Sequence, residues 1–114
     1  MLIKRGDVVR VVFPNSDLTT AKRRPVLVIQ ADNLNTGLAQ TVMAMITSKM
    51  VRANHPSRVT VMVSSFAGVG VGLRLDSVIM TDNLVTVANA EINSVLGSLP
   101  MKEVDAALRH TFGL

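Results

Sequence analysis

Short apolar runs separated by polar, turn-forming segments are the main pattern of this chain. The runs are rich in valine and isoleucine, and most are bounded by glycine, proline, asparagine, aspartate or serine. Runs of this length and composition predict strands. Six strands are predicted in this way: 8–13, 24 or 25 to 30, 41–47, 59–63, 76–80 and 92–99. Residues 84–87 either continue the fifth strand or pair near it.

The period of the pattern changes near the C-terminus. After Pro100, apolar residues recur at helical spacing from Met101 to Phe112, which predicts a helix. Pro100 suits its first turn, and Gly113 suits its end. Short strands followed by one helix predict a mainly β fold, with a strongly curved antiparallel sheet or partly open barrel and a C-terminal α-helix. No linker or repeat divides the chain, so residues 1–114 are expected to form one domain.

Three polar connections stand out between the predicted strands. The segments 15–22 and 48–58 hold turn formers, and 48–58 also carries three cations, Lys49, Arg52 and Arg58. Connections of this length often carry functional side chains at the ends of a sheet. The segment 64–72 contains three glycines and is also predicted to be a loop.

Composition and charge narrow the classes of function. The chain has no cysteine, which excludes a disulfide framework and thiol chemistry. No apolar run has the length of a signal-peptide core or a membrane span, so a soluble cytoplasmic protein is expected. Residues 1–74 carry ten Lys and Arg against three Asp, whereas residues 75–114 carry two against five Asp and Glu. This asymmetry indicates a phosphate-bearing partner on one side of the molecule.

The basic triplet Lys22, Arg23 and Arg24 is a candidate for that contact. It runs directly into the apolar run at Pro25, which lacks an N–H and suits the first position of a strand. The cations are therefore expected where a rigid strand begins, and the alternative is that they only solvate that strand end. Because the chain has three Phe and no Trp or Tyr, phosphate contacts rather than base stacking would carry nucleic-acid binding.

The available side chains leave few kinds of catalysis open. The two histidines, His55 and His110, have no partner at metal-ligand spacing, and no phosphate-binding loop or nucleophile elbow is present. The remaining arginine, lysine, threonine, serine and aspartate suffice for cleavage of RNA by its own 2′-hydroxyl. In that reaction a base takes the 2′-OH proton, a cation stabilises charge on the phosphate, and a donor protonates the leaving 5′-oxygen. No metal or cofactor is expected.

Six motifs follow one another along the chain: Gly6–Val9 with Phe13–Pro14, Ser16–Leu18, Arg23–Val28, Ile46–Ser48, blocks within Gly72–Val87, and Ile92–Leu99 with the closing helix. In this order they resemble the MazF/PemK family of bacterial toxins. The resemblance implies an SH3-like barrel with a C-terminal helix, a homodimer, and a sequence-specific endoribonuclease that acts on single-stranded mRNA. It also implies a cognate antitoxin, a segment of which occupies the RNA-binding face.

The resemblance assigns three catalytic candidates. Arg24 would bind phosphate and stabilise charge, Thr47 would hydrogen-bond the scissile phosphate, and Asp82 matches an aspartate that acts as base in some relatives. The structural alternatives are an ion pair at the sheet rim for Arg24, a turn-capping hydroxyl for Thr47 and a turn residue for Asp82. The RNA-binding candidates are polar and basic residues of loops and strand ends: Asn15, Ser16, Asp17, Lys22, Arg23, Ser48, Lys49, Arg52, Arg58 and Arg74.

Met80 departs from the family pattern. Many relatives have an arginine two residues before the aspartate that matches Asp82, where it serves as the acid, and a thioether can neither donate a proton nor hold charge. Three outcomes are open: Arg24 does the acid work, Arg74 reaches in from another strand, or cleavage is slow or absent. The rival interpretations are a non-catalytic relative of the CcdB toxins, which poison DNA gyrase, and a degenerate toxin that only binds an antitoxin.

Overall fold

The computed structural model describes residues 2–14 and 19–114, and its main feature is one six-stranded antiparallel sheet. The strands are β1 (Asp7–Pro14), β2 (Ala21–Val28), β3 (Gln40–Thr47), β4 (Arg58–Val61), β5 (Ser77–Ala88) and β6 (Ile92–Ser98). The α-helices are α1 (Phe66–Val71) and α2 (Lys102–Phe112), and short 3-10 helices occupy Met50–Arg52 and Asn89–Glu91. The mainly β fold with a C-terminal helix is confirmed.

The sheet is open, with the strand order β4-β5-β3-β2-β1-β6. Within the described ranges its edges are β4 and β6, so the sheet is not closed, in agreement with the expected strongly curved sheet or partly open barrel. Register shifts interrupt the ladder between β1 and β6 and the ladder between β3 and β5. Such irregularities bend a strand and increase its twist, which curves the sheet.

Both faces of the sheet bury apolar side chains. One face packs against the helices, where Val104 and Ala107 of α2 meet Ile46 of β3 and Ile79 of β5 in one core cluster. The other face carries a second cluster: Val9, Val11, Val26, Val28, Met43 and Val87. Strands buried on both faces have continuous apolar runs in the sequence. The strands are therefore easy to predict, but the sequence does not show which side chains lie on which face.

The strand β2 begins earlier than the sequence predicts. Because β2 starts at Ala21, the basic triplet lies within the strand and not before its first residue. Pro25 likewise lies in the middle of β2 and not at its first position. The ladder to β3 starts only at Val26, so the first half of β2 has one partner strand, β1. A proline is tolerated on such a half-free strand because no second ladder needs its N–H.

The helix α1 occupies a segment that the sequence predicts to be a loop. Ser65 caps its N-terminus, where the Ser65 hydroxyl accepts a hydrogen bond of 3.0 Å from the Gly68 N–H. A Cβ at Gly68 would collide with the carbonyl oxygen of Met62, so only glycine fits this close approach. Glycine lowers helix propensity, which explains why the pattern favours a loop here.

The strand β5 joins the predicted strand 76–80 to the apolar stretch 84–87. Met45 of β3 pairs with Met80 while Ala44 pairs with Leu84, so Thr81, Asp82 and Asn83 form an insertion opposite β3. The Thr81 hydroxyl donates to the Ser57 carbonyl at 2.6 Å and lies 2.7 Å from the Thr111 hydroxyl of α2. The insertion is therefore held to α2 on one side and presents Asp82 on the other.

The helix α2 follows the predicted pattern with one correction. Pro100 lies before the N-cap residue Met101, outside the first helical turn. The preceding residue, Leu99, still donates its N–H to the Gly6 carbonyl at 2.8 Å, so Pro100 links the sheet to the helix. Gly113 ends the helix in the left-handed conformation, with φ of 70°, as predicted.

Candidate functional site

Arg24 and Thr47 project from the same face of the sheet, the face opposite α2. Val26 of β2 pairs with Met45 of β3. The side chains two residues before Val26 and two residues after Met45 project from the same face as this pair. Continuing this register places Arg24 opposite Thr47. The β2–β3 ladder ends at Val26–Met45, so the aligned residues lie just beyond the paired part of the two strands.

Arg24 is exposed on a rigid support. Its Cα pairs with Val11 of β1, which belongs to the core cluster on the face opposite α2, and cross-strand partners project from the same face. Lys22 shares that face because it lies two residues earlier, whereas Arg23 projects to the other side. The basic triplet is therefore divided between the two faces, and only Lys22 and Arg24 can address one ligand there.

Thr47 is the last residue of β3 and is half-buried. Its hydroxyl oxygen accepts a hydrogen bond of 3.1 Å from the Lys49 N–H, which orders the turn that carries the exposed Ser48 and Lys49. Within residues 2–14 and 19–114 the Thr47 hydroxyl has no acceptor for its own proton. That proton is available to a phosphate oxygen, so the capping role and the proposed ligand role are compatible.

Asp82 and Arg58 form a bidentate ion pair. Arg58 Nε lies 3.1 Å from Asp82 Oδ1, and Arg58 Nη2 lies 2.7 Å from Asp82 Oδ2. A third bond of 3.0 Å joins Arg58 Nη1 to the carbonyl of Arg52, in the 3-10 helix of the basic connection. The pair thus attaches this connection to the β5 insertion.

The ion pair changes the proton affinity of both groups. The hydrogen bonds and the positive charge of Arg58 lower the pKa of the Asp82 carboxyl below its ordinary value of 3.8. In the opposite sense, the hydrogen bonds to Asp82 raise the pKa of the Arg58 guanidinium. Both groups are therefore charged throughout the physiological range, and Asp82 is a weaker proton acceptor than an isolated aspartate.

The other RNA-binding candidates are distributed unevenly. Ser48, Lys49 and Arg52 lie exposed on the connection that follows Thr47. Arg74 is exposed on the link between α1 and β5 and not on a strand, near the sheet end where Thr47 pairs with Val78. The remaining candidates lie outside the described residues: Asn15, Ser16 and Asp17.

Two sets of contacts beside this site are not indicated by the sequence. The Arg58–Asp82 pair joins residues 24 positions apart, and no local sequence pattern predicts it. His55 accepts a 3.0 Å hydrogen bond at Nδ1 from the Ser57 N–H, and its ring meets His110 edge-on with centroids 6.1 Å apart. Both contacts depend on the connection after β3 folding back over β5 and α2.

The described residues form neither a cluster of three metal-ligating side chains nor a bilayer-spanning helix. The Arg24 and Arg58 guanidinium groups and the Thr47 hydroxyl belong to the face opposite α2, and the exposed Lys49 lies in the turn that follows Thr47. Such donors bind and polarise phosphate without a protein nucleophile. The arrangement suits phosphoryl transfer within a substrate that supplies its own attacking hydroxyl.

Comparison with known proteins gives matches over the whole chain. A family model described as "PemK-like, MazF-like toxin of type II toxin-antitoxin system" matches residues 4–112. The chain is 34% identical over 119 residues to Endoribonuclease MazF6 of Mycobacterium tuberculosis, with 100% of both chains covered. It is 34% identical over the same length to Endoribonuclease MazF2 of Mycobacterium bovis, again with 100% coverage of both.

A solved structure gives the same picture of the fold. The chain matches a crystal structure of MazE–MazF from Deinococcus radiodurans with a TM-score of 0.75 and 18% identity, over 100% of this chain and 98% of that one. At this identity the likeness shows a shared fold.

Proposed function

The chain belongs to the PemK-like, MazF-like family of toxins of type II toxin–antitoxin systems, and we propose that it is a metal-independent, sequence-specific endoribonuclease that cleaves single-stranded mRNA. Its relatives at 34% identity are named endoribonucleases and are matched over their full length. These matches favour ribonuclease activity over the gyrase-binding alternative. The observation that carries the proposal is that Arg24 and Thr47 project from the same face of the sheet, just beyond the end of the β2–β3 ladder.

The proposed mechanism uses the hydroxyl of the substrate. The ribose 2′-oxygen gives its proton to water as it attacks the adjacent phosphorus, the bond from phosphorus to the 5′-oxygen breaks, and the leaving 5′-oxygen takes a proton from water. The products are a 2′,3′-cyclic phosphate and a 5′-hydroxyl. Arg24 stabilises the charge that develops on the phosphate oxygens, since its planar guanidinium matches phosphate geometry. Thr47 donates its hydroxyl proton to the same phosphate, and Asp82 with its partner Arg58 completes the proposed site.

The proposed partners follow from the family and the charge distribution. The basic connection after β3, with Lys49 and Arg52, would bind RNA backbone phosphates, together with Lys22 and Arg24 of β2. The family description, a toxin of a type II toxin–antitoxin system, supports a cognate antitoxin as partner, and we further propose that this antitoxin covers the same face. The active form is proposed to be a homodimer in the cytoplasm, where mRNA is the substrate.

The first test is cleavage of a long transcript by the purified protein in EDTA. Wild type is expected to give discrete fragments with cyclic-phosphate ends, because no bound metal is required. Arg24→Ala is expected to lose about 100-fold or more in rate, the typical loss when a charge-stabilising donor is removed. Thr47→Val, which keeps the shape but removes the hydroxyl, is expected to lose about 10-fold or more through the lost charge-assisted hydrogen bond.

Arg23→Ala is the matched control, since Arg23 neighbours Arg24 but projects from the other face of β2. It is expected to keep rates within a few-fold of wild type. Intact RNA with wild type would refute the proposed activity. Normal cleavage by both Arg24→Ala and Thr47→Val would leave the activity standing and refute the site.

A further inference from the structure

Arg58 occupies a special position relative to Met80. The two residues are cross-strand partners between β4 and β5, so their side chains project from the same face of the sheet. Met80 in turn pairs with Met45, which shares its face with Thr47. Arg58 therefore lies on the face that carries Arg24 and Thr47, next to the position where the chain has a thioether and no cation.

The guanidinium of Arg58 is held in place, but not all of its N–H groups are bonded. Of its five N–H groups, one on Nε and one on Nη2 bind Asp82, and one on Nη1 binds the Arg52 carbonyl. Two N–H groups remain, one on each terminal nitrogen, without an acceptor among the described residues. The side chain keeps 21% of its surface exposed, so a ligand can reach this group.

The carboxylate of Asp82 has the opposite properties. Both of its oxygens already accept bonds from Arg58, and the pair lowers the pKa of the carboxyl. A general base works best when its pKa lies near the working pH and a lone pair faces the proton to be removed. Asp82 does not meet the first condition, and its bidentate bonds to Arg58 place it well to orient a cation.

Resting on the proposed endoribonuclease activity, we propose that Arg58 contacts an RNA phosphate on the face of Arg24 and Thr47, and that Asp82 is a positioning residue that orients the Arg58 guanidinium. Arg58 thereby supplies, from the neighbouring strand, the cation that position 80 lacks. Neither Arg24 nor Arg74 is then needed to replace the cation that is missing at position 80.

The phosphate contact is tested through the salt dependence of binding. The ligand is an oligonucleotide that spans a cleavage site mapped on a long transcript, with 2′-deoxyribose at the cleaved nucleotide so that it binds without reacting. Each phosphate neutralised on a single strand contributes about 0.7 to the slope of log affinity against log salt concentration. Arg58→Ala is expected to lower the slope by about 0.7, and Arg58→Lys is expected to retain it.

Arg109→Ala is the matched control for this measurement. Arg109 is an exposed arginine on α2, which packs against the other face of the sheet. Its slope is expected to equal that of wild type. An unchanged slope in Arg58→Ala would overturn the phosphate contact. If Arg58→Ala fails to fold, as judged by thermal melting, Arg58→Gln provides the same comparison because it is uncharged but polar.

The role of Asp82 is tested through Asp82→Asn, whose amide oxygen can still accept from Arg58. A positioning residue predicts a loss of about 10-fold or less in cleavage rate, with the acidic limb of the pH–rate profile unchanged. Arg58→Ala and the double variant Arg58→Ala/Asp82→Asn should then cleave at the same rate. A loss of about 100-fold or more in Asp82→Asn, with a shifted acidic limb, would identify Asp82 as the base and overturn the inference.

Failure of the proposed function gives a different result. If wild type leaves RNA intact, the endoribonuclease proposal fails and the role of Arg58 fails with it. If wild type cleaves RNA while the Arg58 and Asp82 variants behave like Arg109→Ala, only the inference about this pair fails.

Discussion

The environment of Asp82 determines its chemistry more than its residue type does. An exposed aspartate in an insertion would titrate near its ordinary value, but Arg58 satisfies both oxygens and lowers the pKa of the carboxyl. Two residues before Asp82 on the same strand, Met80 is a buried apolar side chain opposite Arg58 of β4. Charge on this face is therefore arranged across strands, and residue-by-residue comparison along the chain does not find it.

The Arg58–Asp82 pair predicts a pH dependence of stability. Because the pKa of Asp82 is lower in the folded than in the unfolded chain, the pair stabilises the fold fully above pH about 4. This contribution is lost as the pH falls below 3.8 and through the lowered pKa. Urea denaturation at pH 7 should therefore show Asp82→Asn to be less stable than wild type, and the difference should shrink at pH 3. A difference that is equal at both pH values would contradict the assignment.

At the scale of elements, α1 forms although its glycines have a low helix propensity. Glycine lets the backbone of this segment approach neighbouring backbone closely. Gly68 faces the Met62 carbonyl within the same connection, and Gly97 of β6 faces Gly70 and Val71 of α1. These close approaches require glycine at position 68 of α1 and at position 97 of β6. The gain from this packing exceeds the conformational cost of glycine in a helix, which is about 1 kcal/mol per residue.

Two glycines of α1 give a matched pair of substitutions. Gly68→Ala is expected to destabilise the fold by about 1–3 kcal/mol, because its Cβ would collide with the Met62 backbone. Gly70→Ala is expected to be neutral or to stabilise by up to about 1 kcal/mol, because its Cβ would lie at an ordinary 3.5 Å from the Ser98 carbonyl oxygen. Urea denaturation of both variants measures the difference. Equal effects would show that close packing of α1 does not require glycine at position 68.

At the scale of the whole molecule, both faces of the sheet bury an apolar cluster, and they differ in what lies around it. The helices α1 and α2 pack on the first face, and the second carries the guanidinium groups and hydroxyl of the proposed site. The monomer also exposes several large apolar side chains, including Phe66 with 93% of its surface exposed and Val69 with 76%. Exposed apolar residues in such numbers are typical of surfaces that associate.

The proposed homodimer predicts the molecular mass in solution. Sedimentation equilibrium is expected to give about twice the monomer mass of 12.2 kDa at micromolar concentration. Raising the salt concentration is expected to leave the dimer intact, because burial of apolar surface is not screened by ions. A monomer mass at all concentrations up to about 100 µM would contradict the proposed dimer and leave the cleavage tests unaffected.

The sequence by itself was sufficient for the strands, the C-terminal helix and the family. Local patterns determine these features, because β-branched runs, the helical spacing after Pro100 and the order of the motifs are all written in neighbouring residues. The start of β2 at Ala21 was harder to predict, because the pairing with β1 overrides the signal of Pro25. In the same way, close backbone packing overrides the low helix propensity of α1.

Only the tertiary structure decided which polar groups act together. The pairing of Arg58 with Met80 and the ion pair with Asp82 depend on the register of β4 against β5, across 24 residues of chain. The alignment of Arg24 with Thr47 depends on the register of β2 against β3. Register is set by how apolar side chains fill the two cores, so it is a property of the packed sheet and is not written in any one segment.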